Sequence, residues 1–181
     1  QNKADVALSK AREWFDTQKM QMLIGGTNPA AALGLAKLAQ DRKRIFFVNG
    51  SGSSALTNEQ CSPYTVHYAW DSVAFAKGAA AALTQQGSKD WFILTADYAF
   101  GHALEADAAK VVKANGGRVV GSVRHPLNTL DFSSFLLQAQ TAKAQVLGLS
   151  NAGGDTTNAV KAAREFGLDK TMKIATLVLF I

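Results

Sequence analysis

Short apolar runs alternate with helix-spaced apolar residues along this chain, most clearly from residue 91 onwards. Residues 91–94 form an apolar run of strand length, and the polar and aromatic turn 95–101 follows it. The next apolar residues recur at i, i+4, i+7 and i+8, the spacing of a helix: Leu104, Ala108, Val111 and Val112. Residues 115–117 end that helix, and 119–123 read as a second strand. Because parallel sheets bind ligands at the carboxyl ends of their strands, we expect a small-molecule site at 97–101.

The same alternation covers the rest of the chain and predicts an α/β fold, with parallel sheets flanked by helices on both faces. The predicted strands are 22–24, 45–48, 64–70, 91–94, 119–123, 146–149 and 174–180. The predicted helices are 4–18, 29–40, 71–86, the segment between the turn 95–101 and residue 115, 132–143 and 155–166. Residues 61–71 contain no helix for a normal crossover, so we place them between two lobes. We therefore expect two sheets rather than one.

Composition and charge narrow the function classes. Apolar residues make up 48% of the chain and charged residues 18%, which is a globular balance. No apolar run is long enough to span a membrane, so we expect no direct membrane insertion. The net charge is +5, but the basic residues are scattered, and only 42–44 form a small cluster, so we expect no nucleic-acid partner. Cys61 is the single cysteine and can form no internal disulfide.

One glycine loop superficially matches a dinucleotide-binding motif. Gly50 to Ala55 read G-S-G-S-S-A after a predicted strand, and Asp71 follows at the spacing of a ribose-binding acid. However, the stretch between Ala55 and Tyr64 is too short for a crossover helix. A loop of small residues that lets a ligand approach the backbone fits better.

Two further features each leave two interpretations open. The turn 25–29 precedes a helix, with Asn28 as N-cap and Pro29 as first helical residue. The free N–H groups of such a helix start suit a carboxylate, but plain helix capping explains the same residues. Aromatic residues also follow strand ends, and they either wall a ligand site or pack between lobes: Tyr68, Trp70, Tyr98 and Phe100.

No enzyme or metal constellation stands out in the sequence. His67, His102 and His125 are too scattered for a metal set, and we expect each to be a surface or capped residue. There is no G-x-S-x-G motif and no evident carboxylate pair. We therefore expect no catalytic residues, no metal and no cofactor.

Four segments together resemble a known family. The order G-G-T-N-P, V-N-G-S-G-S-S, Y-T-V-H-Y-A-W-D and L-T-A-D-Y-A-F-G is similar to the branched-chain amino-acid type of periplasmic solute-binding protein. More narrowly, it resembles the subgroup of bacterial ABC uptake systems that often takes aromatic acids. The resemblance covers the whole chain, and its most specific marks are D-Y-x-F-G-H and D-F-S-S-F.

The resemblance implies a type I periplasmic binding protein with two Rossmann-like lobes and a ligand between them. By it, residues 1–62 are part of lobe one, 63–181 are most of lobe two, and 61–71 cross between the lobes. Lobe one is then incomplete and the chain is an internal fragment of a longer, exported protein. The implied function is capture of a small carboxylate for delivery to an ABC permease. The alternative is a ligand-sensing domain of a regulator or receptor with the same fold.

The resemblance also assigns site residues, but it leaves the partner of a ligand amine unassigned. Gly26, Thr27 and Asn28, with Ser51, Gly52 and Ser53, match the lobe-one carboxylate cradle. Tyr98 and Phe100 match the lobe-two loop that covers the ligand, and Asn151 and Ala152 match its neighbour. The acid that meets a ligand amine in amino-acid binders is missing from 177–180, and Asp155 or Asp97 would have to substitute. We therefore expect aromatic acids to bind better than leucine or valine.

Overall fold

The computed structural model describes residues 3–179, and within them the strands form two separate parallel sheets. The first sheet has three strands in the order β1-β2-β3, where β1 is Met22–Gly25, β2 is Ile45–Val48 and β3 is Thr65–His67. The second has four strands in the order β5-β4-β6-β7. The chain divides into two compact units after Asp71, called here the first and the second unit. The α/β fold with two parallel sheets, predicted from the alternation, is confirmed.

The first unit packs two helices, α1 (Ala4–Asp16) and α2 (Pro29–Asp41), with its sheet. The α2 helix begins as expected, with Asn28 Oδ1 accepting a hydrogen bond from the Ala31 N–H at 3.1 Å and Pro29 in the first turn. Apolar residues along α2 and the sheet then share one buried cluster: Ala32, Leu35, Ala36, Ala39, Leu23, Phe46 and Val48.

Residues 61–71 were predicted to pass between the two lobes, but β3, which lies in that segment, belongs to the first sheet. The connection from β2 to β3 contains a short 3₁₀ turn, Ser54–Leu56, and no α-helix. Yet β3 pairs with β2 in parallel, with the Tyr68 N–H donating to the Val48 carbonyl at 2.9 Å. Because this pairing satisfies the backbone of β3, residues 63–71 lie in the first unit, beyond the boundary expected after residue 62.

The second unit continues the regular alternation. Its first helical segment runs from α3 (Ser72–Ala76) through a π-helical turn at Lys77–Ala81 into α4 (Ala82–Gln85). The following elements are β4 (Asp90–Ala96), α5 (Ala99–Ala114), β5 (Arg118–His125), α6 (Ser133–Thr141), β6 (Val146–Ser150), α7 (Gly154–Glu165) and β7 (Lys173–Thr176). All strand pairs in this sheet are parallel.

The β4 strand lies between β5 and β6 in the sheet, and both of its faces are apolar. Trp91 and Ile93 face one buried cluster, and Phe92 and Leu94 face another. Side chains alternate across a strand, so a continuous apolar run fits a strand that is covered on both sides. The run at 91–94 was therefore read correctly as a buried strand.

The last predicted strand is shorter than expected. β7 ends at Thr176, although the Leu177 N–H still donates to the Leu149 carbonyl of β6 at 3.2 Å. Leu177 and Val178 are buried beyond the end of the strand. The predicted end of this strand, residue 180, lies outside the described residues. Among residues 3–179, no helix has both the length and the apolar character needed to cross a bilayer. Cys61 is exposed.

Candidate functional site

The loops that follow β1 and β2 touch each other at the carboxyl end of the first sheet. The Asn49 N–H donates to the Gly25 carbonyl at 3.1 Å. At Gly50, an added Cβ would lie 2.9 Å from Thr27 Cγ2 and 3.4 Å from its Cα. A side chain at Gly50 would have to displace the Thr27 methyl group, so the two loops predicted to form the cradle lie in close contact within the first unit.

Glycine also shapes the turn before α2. Gly26 has a φ of +80°, and a Cβ there would lie 2.9 Å from the Phe46 ring. The turn leaves Thr27 exposed and puts Asn28 at the helix start. Asn28 Oδ1 is used for capping, so the capping interpretation holds for that oxygen. Pro29 has no N–H, and the N–H groups of Ala31 and Ala32 donate to Asn28. The Asn28 amide nitrogen and the Ala30 N–H are therefore the groups proposed for a ligand.

The second loop is tied to β3 through His67. His67 Nε2 lies 2.7 Å from the Ser51 carbonyl oxygen, which can only accept, so this nitrogen donates. The Ser53 N–H donates to Ser51 Oγ at 3.3 Å. Ser51, Gly52 and Ser53 are all buried. The role of His67 was missed, because sequence alone does not show that β3 pairs next to β2.

These two loops contain only neutral polar and small residues. Residues 25–29 and 49–54 include hydroxyls, amides and glycines but no Lys, Arg, Asp or Glu. Helix N-termini carry a partial positive charge and unpaired N–H groups, which suit an anion. Chemically, this edge of the first sheet can hold a small carboxylate without a buried cation.

At the carboxyl end of β4 the two predicted aromatic residues have different environments. Phe100 is 5% exposed and belongs to a buried cluster, whereas Tyr98 is half-buried beside it. Their ring centroids lie 6.0 Å apart. Tyr98 is therefore the aromatic surface at this edge, and Phe100 supports it from the core.

Gly101 joins three elements at this edge. A Cβ on Gly101 would collide with the Ala96 carbonyl oxygen and lie 3.2 Å from the Ser150 carbonyl oxygen. Ser150 Oγ in turn donates to the Gly101 carbonyl at 2.8 Å. The ends of β4 and β6 and the first turn of α5 are thus held together without room for a side chain.

The neighbouring loop after β6 is anchored by Asn151 together with His125, whose contact with this loop was not predicted from the sequence. Asn151 is fully buried, with its amide nitrogen 3.3 Å from His125 Nε2 and its Oδ1 accepting from Thr156 Oγ1 at 2.8 Å. His125 is 0% exposed and packs edge-on against Phe132, so of the two predicted alternatives, a surface or a capped residue, the surface position is wrong. No local sequence signal marks it, because β5 meets β6 only through β4.

The two candidate amine partners are both engaged. Asp97 is exposed and its Oδ1 lies 2.8 Å from His102 Nε2. Asp155 is buried, and its Oδ2 accepts from the Asn128 N–H at 3.1 Å. Burial, and secondarily the charge of Asp155, raise the pKa of Tyr98 to about 12. Asp155 therefore acts electrostatically on the Tyr98 hydroxyl.

The raised pKa of Tyr98 predicts a separate ionisation step. In a spectrophotometric titration of the 181-residue chain, Tyr98 should give a late ionisation step near pH 12. Since the folded pKa lies above the unfolded value, the stabilisation is present below about pH 10 and is lost as pH rises through about 12. Tyr98→Phe should remove this late step, and Tyr68→Phe should leave it in place. A late step that survives Tyr98→Phe would contradict the assignment.

No cluster of three or more potential metal ligands occurs among residues 3–179. Beyond the end of β7, Leu177 and Val178 lie in the buried cluster that Phe100 shares and against which Tyr98 packs. The side chains at this part of the edge are apolar.

Comparison with known proteins places these features in a family. A family described as periplasmic binding protein matches residues 1–181. A periplasmic binding protein from Burkholderia mallei is 62% identical with a TM-score of 0.92, over 98% of this chain and 48% of that chain. A branched-chain amino-acid ABC transporter ligand-binding protein from Burkholderia xenovorans is 36% identical with a TM-score of 0.79, over 95% of this chain and 46% of that one.

A third solved structure carries an aromatic acid. It is a solute-binding protein of an ABC transporter from Rhodopseudomonas palustris, in complex with p-hydroxybenzoic acid; it is 29% identical with a TM-score of 0.84, over 96% of this chain and 47% of that one. The chain thus spans about half the length of the solved structures it matches. No curated protein matches it.

Proposed function

The chain belongs to the periplasmic binding protein family, and on that premise we propose that the whole protein is a periplasmic receptor that captures a small carboxylate for an ABC permease. Its relatives are solute-binding proteins of transport systems rather than enzymes, and we extend that absence of catalysis to this protein. The ligand is held between the two lobes and released to the permease, without a cofactor or metal.

The observation that carries the proposal is the neutral polar edge of the first sheet. The loop pair around Thr27 and Gly50 is closely packed, contains no charged residue, and ends at the start of α2. In the proposed site, Gly26, Thr27 and Asn28 meet a carboxylate together with Ser51, Gly52 and Ser53. Charge-assisted hydrogen bonds from N–H and O–H groups hold it without the desolvation of a buried lysine or arginine.

On the second unit, the proposed contacts come from Tyr98 and the backbone around Ala152, with Phe100 behind them. Tyr98 offers a flat, half-buried ring. The Asn151 side chain is committed to His125 and Thr156, so its proposed part in binding is through position rather than direct contact. A ring or a branched apolar tail fits this edge.

The proposed ligand class is an aromatic acid rather than an α-amino acid. An ammonium group would need an acid at this edge, but Leu177 and Val178 are apolar. Asp97 is next to His102 and Asp155 is held by Asn128. An amine without a partner would cost several kcal/mol to bury, and an aromatic acid has no amine.

Matched ligand pairs test this proposal in the full-length protein. We expect 3-phenylpropanoate to stabilise it more than phenylalanine, and 4-methylpentanoate more than leucine, because each pair differs only in the α-amine. A ligand at 100 times its Kd adds about 2.7 kcal/mol of stability, which thermal-shift measurements resolve. Benzamide, which lacks the carboxylate, should give no shift, and Thr27→Ala should reduce the shift from 4-hydroxybenzoate.

Two outcomes would count against different parts of the proposal. Stabilisation by leucine but not by 4-methylpentanoate would show that Asp97 or Asp155 pairs with an amine, and would overturn the aromatic-acid preference. No stabilisation by any carboxylate would overturn the receptor function itself.

A further inference from the structure

We infer that His125 is a positioning residue for ligand binding: its neutral ring holds Asn151 and so fixes the backbone of Ala152 at the edge of the second sheet. This inference rests on the proposed function, because it concerns the same edge. It assigns a role to a buried histidine that does not itself contact the ligand.

The hydrogen bonds define the state of the ring. His125 Nδ1 lies 2.8 Å from the Pro126 carbonyl oxygen, which can only accept, so Nδ1 carries a proton. In the neutral ring Nε2 is then an acceptor, and the Asn151 amide N–H donates to it across 3.3 Å. The Asn151 Oδ1 is left facing the Thr156 hydroxyl, which donates at 2.8 Å. Each hydrogen-bond donor in this network therefore faces an acceptor.

This hydrogen-bond network connects three elements that lie far apart in the sequence. His125 ends β5, Asn151 directly follows β6, and Thr156 lies in the first turn of α7. All three side chains are nearly or fully buried, so water does not compete for these bonds. Between Asn151 and α7 stand only Ala152 and Gly153, and Gly153 has a φ of +62°. The backbone at the edge is thus fixed on both sides by the same polar group.

Burial makes the arrangement specific. A buried amide N–H without an acceptor is costly, so the loop would rearrange if Nε2 were lost. The rings of Phe132 and Phe135 lie edge-on around His125, with centroids 4.9 and 6.1 Å away. Aromatic packing alone would be satisfied by any apolar side chain of similar size. The two roles, packing and accepting, can therefore be separated by substitution.

Three variants of the full-length protein separate them. His125→Leu keeps apolar bulk but removes the acceptor, and we expect it to weaken binding of 4-hydroxybenzoate about tenfold. His125→Gln retains a side-chain oxygen as acceptor and should bind within about threefold of the parent. Thr156→Val removes the hydroxyl that donates to Asn151 Oδ1, and it should weaken binding as much as His125→Leu does. Lys161→Ala changes an exposed residue further along the same helix and should have no effect.

Amide hydrogen exchange provides a readout that needs no ligand. We expect the Ala152 and Gly153 amides to exchange faster in His125→Leu and Thr156→Val, and at the parent rate in His125→Gln. The double variant His125→Leu with Thr156→Val should bind no more weakly than either single variant, because coupled residues are not additive.

The outcomes distinguish this inference from the receptor function. If the parent binds 4-hydroxybenzoate and His125→Leu binds equally well with unchanged exchange, the positioning role is overturned and the receptor function stands. If the parent binds no carboxylate, the receptor function fails, and the exchange rates still decide whether His125 fixes the loop. Should His125→Leu not fold, His125→Gln and Thr156→Val decide between the two roles.

Discussion

Gly101→Ala should destabilise the second unit by about 3 kcal/mol or more and weaken ligand binding in the full-length protein. The added Cβ would collide with the Ala96 carbonyl oxygen and lie 3.1 Å from the Ala96 carbonyl carbon. Backbone atoms cannot rotate away as a side chain would, so β4 or the start of α5 must shift. Because Tyr98 lies between them, its ring would move as well. Urea unfolding and the Kd for 4-hydroxybenzoate measure the two effects.

Gly78→Ala is the matched control. An added Cβ at Gly78 has no neighbour within 4 Å, and the residue lies in an exposed part of a helical segment. Alanine is there expected to be neutral or to stabilise by up to about 1 kcal/mol. Equal unfolding midpoints for Gly101→Ala and the parent would show that β4 and α5 are not packed as described.

Trp91→Ala should cost about 3–5 kcal/mol of unfolding free energy. The indole is 0% exposed, lies in one of the two apolar clusters of the second unit, and donates from Nε1 to the Ser88 carbonyl at 3.0 Å. Its ring also packs onto β6, where a Cβ on Gly148 would lie 3.2 Å from Cε3. Truncation leaves a cavity on this face of the sheet and removes the donor for Ser88.

Trp14→Ala serves as the comparison, because Trp14 is partly exposed on α1 of the first unit. We expect less than half of the Trp91 effect, measured by the same urea unfolding. A Trp14 variant as unstable as the Trp91 variant would show that the first unit limits stability.

The fold was predictable wherever burial follows from local pattern. The run at Trp91 and the evenly spaced strands after it gave the second sheet, because buried parallel strands are continuously apolar. The early end of β7 was not predictable, since Leu177 and Val178 are as buried as strand residues. The place of β3 was missed because its partner, β2, is selected by backbone pairing that leaves no mark in side-chain pattern.

The turn geometry of the loops at the candidate site was predictable, but the residues that support these loops were not. Glycines and a helix-capping residue identify Gly26 and Asn28 from sequence, because only certain residues fit such turns. The supporting partners are His67, which is partly buried beside Ser51, and His125, which is buried beside Asn151, and both come from other strands. Their roles depend on the order of strands in each sheet, which a single sequence does not specify.

The central place of β4 has a consequence for synthesis of the chain. Trp91 pairs with Val146, so one side of an almost wholly buried strand has no partner until roughly 50 more residues are made. At about 5–20 residues per second, that delay is roughly 3–10 s. During this interval the nascent strand exposes both of its apolar faces and an unpaired backbone edge. Holding chaperones shield surfaces of this kind, and such a strand misassembles when it is left uncovered.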